Sequence, residues 1–173
     1  MVTGKPFLNA EQIQIRVREL ASKISEEYQG KEILAVGILK GAFMFFSDIV
    51  RHIQAPMSID FITASSYLKA QTSGEITIHC DIRADVEDKH VLLIEDIVDT
   101  GLTLQYIRNM LSAKKPASIK ICAFLDKKAR RRADIEIDYV GFEIPDKFVV
   151  GYGLDYDNKF RNLPYISIFK EST

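Results

Sequence analysis

The sequence predicts an α/β fold: a central, mostly parallel sheet flanked by helices. Three observations carry this. Short apolar runs recur at Ile33 to Leu39, Val91 to Ile94 and, broken only by Lys120, Ile119 to Leu125, the pattern of strands buried on both faces. After the first run come Phe43, Phe45, Phe46, Ile49 and Val50, and after the second Leu104, Ile107 and Leu111, which is helical spacing. Polar clusters close the runs, at Lys40-Gly41, Glu95-Asp96 and Asp126-Lys127. In open α/β sheets ligands bind at the carboxyl ends of the strands, where these clusters fall.

With 173 residues, 47% of them hydrophobic, the chain is expected to form one domain, 1–173, with a sizeable core. Its net charge of −1, with both signs interspersed, argues against nucleic acid or a membrane surface as partner. Cys80 and Cys122 both sit in strand-like apolar runs and read as buried thiols of a reducing compartment. The amino terminus shows no signal-peptide core and no run approaches transmembrane length, so a cytoplasmic protein is expected.

In chain order, Asn9 can cap a helix with Gln12 as its capping-box partner. Ile13, Val17, Leu20, Ile24 and Tyr28 then mark one face, and Gly30 stops it. The strand from Ile33 ends in Leu39-Lys40-Gly41, where the lysine is either an anion contact or a solvated turn residue. Pro56 closes the helix that follows. Met57, Ile59, Phe61 and Thr63 alternate with Ser58, Asp60 and Ile62, a strand with one face more buried, and Ile76, Ile78 and Cys80 make a second. The polar stretch 65–74 between them is a hairpin tip longer than a tight turn needs, hence a mobile tip or a lid. The run Asp126 to Arg132 reads as a solvated charged face, Lys127 excepted because it stands at a strand's carboxyl end. From Tyr139 the chain breaks into short strand-like pieces separated by Pro145, Gly153 and Pro164. Gly151-Tyr152-Gly153 lacks the third glycine and the helix of a dinucleotide fingerprint. His52, His79 and His90 have no ligand spacing.

The most informative stretch is Val91 to Leu104. Its apolar run ends in the acids Glu95 and Asp96, and the loop Asp99-Thr100-Gly101 leads into the helix. Turn amides and a helix N-terminus suit a phosphate. Two adjacent carboxylates suit two neighbouring sugar hydroxyls or a hydrated magnesium ion. Asp-Thr-Gly alone is most simply a capped strand-to-helix turn. With both acids and Thr103 added, a grip on a ribose phosphate is favoured.

The run Glu95-Asp96-Ile97-Val98-Asp99-Thr100-Gly101-Leu102-Thr103 resembles the phosphoribosyl-pyrophosphate motif of the type I phosphoribosyltransferases. Leu39-Lys40-Gly41 resembles their pyrophosphate loop, often with a cis bond before the lysine, and Ser66-Tyr67 their flexible active-site loop. The run from Ile144 to Tyr156 resembles the purine-binding hood of members that act on hypoxanthine and guanine, and the likeness extends from about Gly37 to Arg161.

The resemblance implies a core at about 33–138 and a small hood, mainly 139–173 with the N-terminal segment. It implies purine salvage, the transfer of 5-phosphoribosyl from phosphoribosyl pyrophosphate to a 6-oxopurine. Asp99 would be the general base. Lys40, Gly41, Glu95, Asp96, Thr100, Gly101, Leu102, Thr103 and Arg161 would hold the phosphoribosyl and pyrophosphate groups, and Lys127, Phe148 and Val149 the purine. Mg2+ would be held by Glu95, Asp96 and Asp155, and Ser66 and Tyr67 would belong to the lid. Leu102 departs from relatives with lysine there, so amides and Thr103 must carry the 5′-phosphate end. A homodimer or homotetramer is expected by the same resemblance. The alternatives are a transferase preferring xanthine or another base, and a non-catalytic sensor of phosphoribosyl pyrophosphate.

Overall fold

The computed structural model describes residues 5–67 and 75–170. After α1 (Ala10–Glu27) come β1 (Ile33–Leu39), α2 (Phe43–Val50) and the hairpin β2 (Met57–Tyr67) and β3 (Glu75–Cys80). Then follow β4 (His90–Val98), α3 (Leu102–Ser112), β5 (Ser118–Asp126) and β6 (Tyr139–Glu143). These six strands form one sheet in the order β3-β2-β1-β4-β5-β6, parallel except for β3, which runs antiparallel to β2.

The sheet is covered on both faces. Leu92 and Ile94 of β4 pack in the cluster with Ile13, Val17 and Ile24 of α1 and Phe45 and Ile49 of α2. Val91 and Leu93 pack in the other cluster, with Leu104, Ile107 and Leu111 of α3. Successive strand residues point to opposite faces, so two covered faces require the unbroken apolar run seen in the sequence. The expected capping box on α1 is formed: Gln12 N donates to Asn9 Oδ1 at 2.8 Å and Asn9 N to Gln12 Oε1 at 2.9 Å. The tail makes a small second sheet of β7 (Val149–Val150) and β8 (Ser167–Ile168). The N-terminal segment joins it, because the amides of Phe7 and Leu8 both donate to the Ile166 carbonyl, at 2.8 and 3.1 Å.

Several expectations are corrected. Glu95 and Asp96 do not end their strand, because β4 continues to Val98 and both acids lie within it. Tyr139–Glu143 is a strand of the main sheet, paired with β5, and not part of the tail. Cys80 is exposed while Cys122 is buried. A bulge between Thr63 and Ala64 shifts the β2–β3 register where Cys80 pairs, and β3 is the sheet edge. In β2 the buried residue is Ile62, whereas Ile59 is 55% exposed. The cause is that β3 pairs only with Thr63 to Tyr67, leaving the first half of β2 as an edge. Among the described residues no helix is long and apolar enough to cross a membrane.

Candidate active site

Glu95 and Asp96 sit in the last part of β4, between β1 and β5. Asp96 is buried, and its Oδ1 accepts from the Ile97 amide at 2.7 Å. Its other oxygen presses on the β1–α2 turn: a Cβ built on Gly41 would lie 1.7 Å from Asp96 Oδ2. Only glycine fits there, directly after the cis Leu39–Lys40 peptide. Burial, and then repulsion from Asp96, push the Glu95 carboxyl well above the ordinary carboxylate range. Burial raises Asp96 as well, against the pull of its hydrogen bond with Glu95, of backbone amides and of Arg161. Donor hydroxyls or a cation placed beside two crowded carboxylates would relieve their repulsion and favour the ionised form.

Beyond β4 the turn Asp99-Thr100-Gly101 reverses into α3. Gly101 precedes the helix at φ 79°, and a Cβ there would meet Arg131 Cδ at 2.9 Å. The Thr100 carbonyl accepts from the amides of Arg132 and Ala133, at 2.9 and 3.0 Å, so the charged run after β5 braces the turn. A cavity of about 360 Å³ is walled by Gly41, Glu95, Asp96, Asp99 and the residues Thr100 to Leu104. Ala64 and Ile76, at the base of the β2–β3 hairpin, close one side. A larger cleft of about 600 Å³, lined by Arg18, Tyr28, His52 and Gln54, lies at the opposite ends of the strands, away from the acids.

The tail supplies a third piece. A Cβ on Gly153 would lie 2.0 Å from the Gly41 carbonyl oxygen, so the two loops touch backbone to backbone. Arg161 locks this contact: its Nη1 donates to the Gly153 carbonyl at 2.7 Å and its Nη2 pairs with Asp155 Oδ1 at 2.7 Å. Asp155 Oδ2 accepts from the Asn158 amide at 2.8 Å.

At the outer end stands Lys127, tied to β4 by its amide, which donates to the Val98 carbonyl at 2.9 Å. Its side chain is 8% exposed and its Nζ is 3.9 Å from Asp99 Oδ2. Asp99 Oδ1 lies 2.8 Å from Arg130 Nε, yet it is buried with no aligned hydrogen-bond donor. Phe148 is 52% exposed, which sets aside simple core packing. Its ring meets Tyr156 and Phe169 edge-on, with centroids 5.8 and 6.1 Å apart. Val149 behind it is buried and pairs with Ile168.

Gly41, Glu95, Asp96, Asp99, Thr100, Gly101, Leu102 and Thr103 thus share one cavity. Arg161 and Asp155 adjoin it through Gly153, and Lys127 through Asp99. Lys40 is exposed beside the cavity wall. Ser66 and Tyr67 pair by backbone with Ile76 and Glu75, while the rest of the expected lid, 68–74, lies outside the described residues. Sequence reasoning missed Gly153, Arg130 and Arg131. The charged run is not wholly solvated: Arg131 pairs with buried Asp126 and packs against Gly101. Glycines flanking a tyrosine in a strand-poor tail were the one available hint of a close backbone contact at Gly153.

A family model described as phosphoribosyl transferase domain matches residues 5–157. This chain belongs to that family. The hypoxanthine-guanine phosphoribosyltransferase of Bacillus subtilis (strain 168) is 47% identical over 167 residues, covering 96% of this chain and 93% of that protein. The hypoxanthine-guanine-xanthine phosphoribosyltransferase of Tritrichomonas foetus is 42% identical over 165 residues, 95% of this chain and 90% of that one. A solved hypoxanthine-guanine phosphoribosyltransferase from Bacillus anthracis, with a HEPES molecule in its active site, superposes with a TM-score of 0.94. It is 42% identical and covers 98% of this chain and 100% of its own. The phosphoribosyl transferase match spans all the cavity-wall residues named above and ends before Arg161.

Proposed function

We propose that this phosphoribosyl transferase moves the 5-phosphoribosyl group from phosphoribosyl pyrophosphate to hypoxanthine or guanine, releasing pyrophosphate. One observation carries the reading: an acid pair, a turn at a helix N-terminus and Asp99 share a single cavity, with a buried lysine 3.9 Å from Asp99.

In this reading Glu95 and Asp96 accept from the two ribose hydroxyls, and the amides and hydroxyls of Thr100 to Thr103 hold the 5′-phosphate. The Lys40–Gly41 turn and Arg161 receive the pyrophosphate, for which a guanidinium fork is suited. As the sugar carbon loses its bond to pyrophosphate oxygen, it gains one to the purine nitrogen. Asp99, in the turn that lines the cavity, takes the proton from the imidazole ring. Lys127 donates to the 6-oxo group, Phe148 stacks on the base, and the Val149 backbone meets its edge. Ser66 and Tyr67 would belong to a lid that keeps water from the activated sugar.

Among the described residues no three His, Cys, Asp or Glu converge on one point. Magnesium is usually held by one or two carboxylates together with substrate phosphates, and the donors present fit that arrangement. Glu95 and Asp96, through the ribose hydroxyls, and Asp155 would hold it. When bound, it supplies charge that neutralises the leaving pyrophosphate. Cytoplasmic residence and self-association as a dimer or tetramer belong to the same proposal. The free thiols Cys80 and Cys122 support the first, and exposed Ile15, Phe43 and Ile59 the second.

The test is a panel of hypoxanthine, guanine, xanthine, adenine and uracil with phosphoribosyl pyrophosphate and magnesium, read as pyrophosphate released. Hypoxanthine and guanine should turn over, with adenine down by about 10⁴-fold because a donor there meets a donor. Release with xanthine alone would replace hypoxanthine and guanine as the accepted bases, release with uracil alone would replace the purine assignment, and release with none would favour the sensor.

A further inference from the structure

We propose that Arg130 is a positioning residue that keeps the Lys127 ammonium free for the purine oxygen by occupying the two carboxylates that would otherwise capture it. The inference rests on the purine role proposed for Lys127. Lys127 Nζ stands 3.9 Å from Asp99 Oδ2 and 3.9 Å from Asp146 Oδ1. That is inside ion-pairing range of both and beyond hydrogen-bond reach of either. A buried ammonium, here on a side chain 8% exposed, is expected to close on one carboxylate, since desolvation makes an unpaired charge costly.

Both carboxylates are already engaged. Arg130 Nε lies 2.8 Å from Asp99 Oδ1, and its Nη1 donates to Asp146 Oδ1 at 3.3 Å. The backbone places the guanidinium there: Arg130 ends a short 3-10 turn, and its amide donates to the Lys127 carbonyl at 2.9 Å. A rigid planar fork with donors on separate nitrogens holds both carboxylates at once in a fixed geometry. Lys127 therefore keeps two negative neighbours without spending its donors on either. Asp146 precedes Phe148 by two residues, so the same guanidinium ties the Asp99 turn to the wall that would stack the base.

The test compares Arg130→Ala, Arg130→Lys and Lys127→Ala in the full chain, with hypoxanthine, guanine and adenine as varied substrates. Arg130→Ala should raise KM for both 6-oxopurines about tenfold, a hydrogen bond's worth, and leave KM for phosphoribosyl pyrophosphate within about twofold. The preference for hypoxanthine over adenine should fall by a similar factor. Arg130→Lys should resemble Arg130→Ala more than the parent. Adding Asp146→Asn to Arg130→Ala should recover part of the loss, because one capturing carboxylate is gone. An unchanged purine KM in Arg130→Ala overturns the proposal, as does an equal rise for adenine or for phosphoribosyl pyrophosphate. Lys127→Ala separates the two layers. If it leaves the 6-oxopurine preference intact, the role of Lys127 itself falls. If it abolishes that preference while Arg130→Ala does not, only the role of Arg130 falls.

Discussion

In the wall built by β4 and α3, every functional group follows from chain order. The strand ladder sets Glu95 and Asp96, the turn presents Asp99, and the helix starts two residues after Thr100. In the wall built by the tail, regular structure amounts to two-residue strands, and six residues between Gly151 and Phe160 have φ between 47° and 103°. Local propensity does not select such a path. Contacts with the rest of the molecule hold it, above all Gly153 on Gly41 and Arg161 across both. The first wall is therefore expected to survive substitutions of its side chains with its shape intact, and the second to lose shape and chemistry together.

Asp99→Asn sharpens this most. It should lower turnover by about 10²-fold or more while leaving phosphoribosyl pyrophosphate affinity and melting temperature nearly unchanged, as seen by steady-state kinetics and calorimetry. A fall in binding equal to the fall in turnover would break the contrast. Next comes a glycine pair. Gly153→Ala puts a methyl group 2.0 Å from a backbone oxygen at φ 101°, whereas Gly101→Ala at φ 79° meets side chains alone, Arg131 Cδ at 2.9 Å, Ile135 Cγ2 at 3.2 Å and Ala133 Cβ at 3.3 Å. Denaturant unfolding should find Gly153→Ala destabilised by about 3 kcal/mol or more and Gly101→Ala by roughly half that. Equal costs would mean that the two walls are equally local.

A smaller effect separates stacking from packing. Phe148→Ala should raise the purine KM about tenfold with little loss of stability, because the ring is 52% exposed. Its buried neighbour in type, Phe124, should cost about 3–5 kcal/mol when cut to alanine. The smallest change is in pH dependence. The Glu95 carboxyl is raised above its ordinary 4.5, so the folded chain holds that proton more tightly than the unfolded chain. Its contribution is most favourable below 4.5 and is lost as pH climbs from there through the raised value. Glu95→Gln should remove this slope and raise the melting temperature of the free protein by about 2–4 °C at neutral pH, on the order of 1 kcal/mol. A lower melting temperature would show the acid pair to be structural.

Much of the first wall was legible because its signals are short-range. The unbroken run Val91 to Ile94, the acids after it, and the spacing Leu104-Ile107-Leu111 each concern neighbours along one strand or helix. The misses share a different cause. Cys80 reads as buried from alternation, but a bulge and an edge position expose it. Arg131 reads as solvated from its charged neighbours, but Asp126 and the Gly101 turn enclose it. Ile59 and Ile62 exchange roles because β3 covers only half of β2. None of these partners lies within one helical or strand period of the residue it affects.

The sequence alone determined the alternation of buried strands and amphipathic helices and the order of groups from Glu95 to Thr103, since periodicity and turn chemistry act between residues a few positions apart. Only the tertiary structure decided that Gly153 rests on Gly41, that Arg161 ties the tail to this contact, and that Arg130 stands between Asp99 and Asp146. Those are close approaches between segments far apart in the chain, and whether two atoms meet across such a distance depends on how the layers pack.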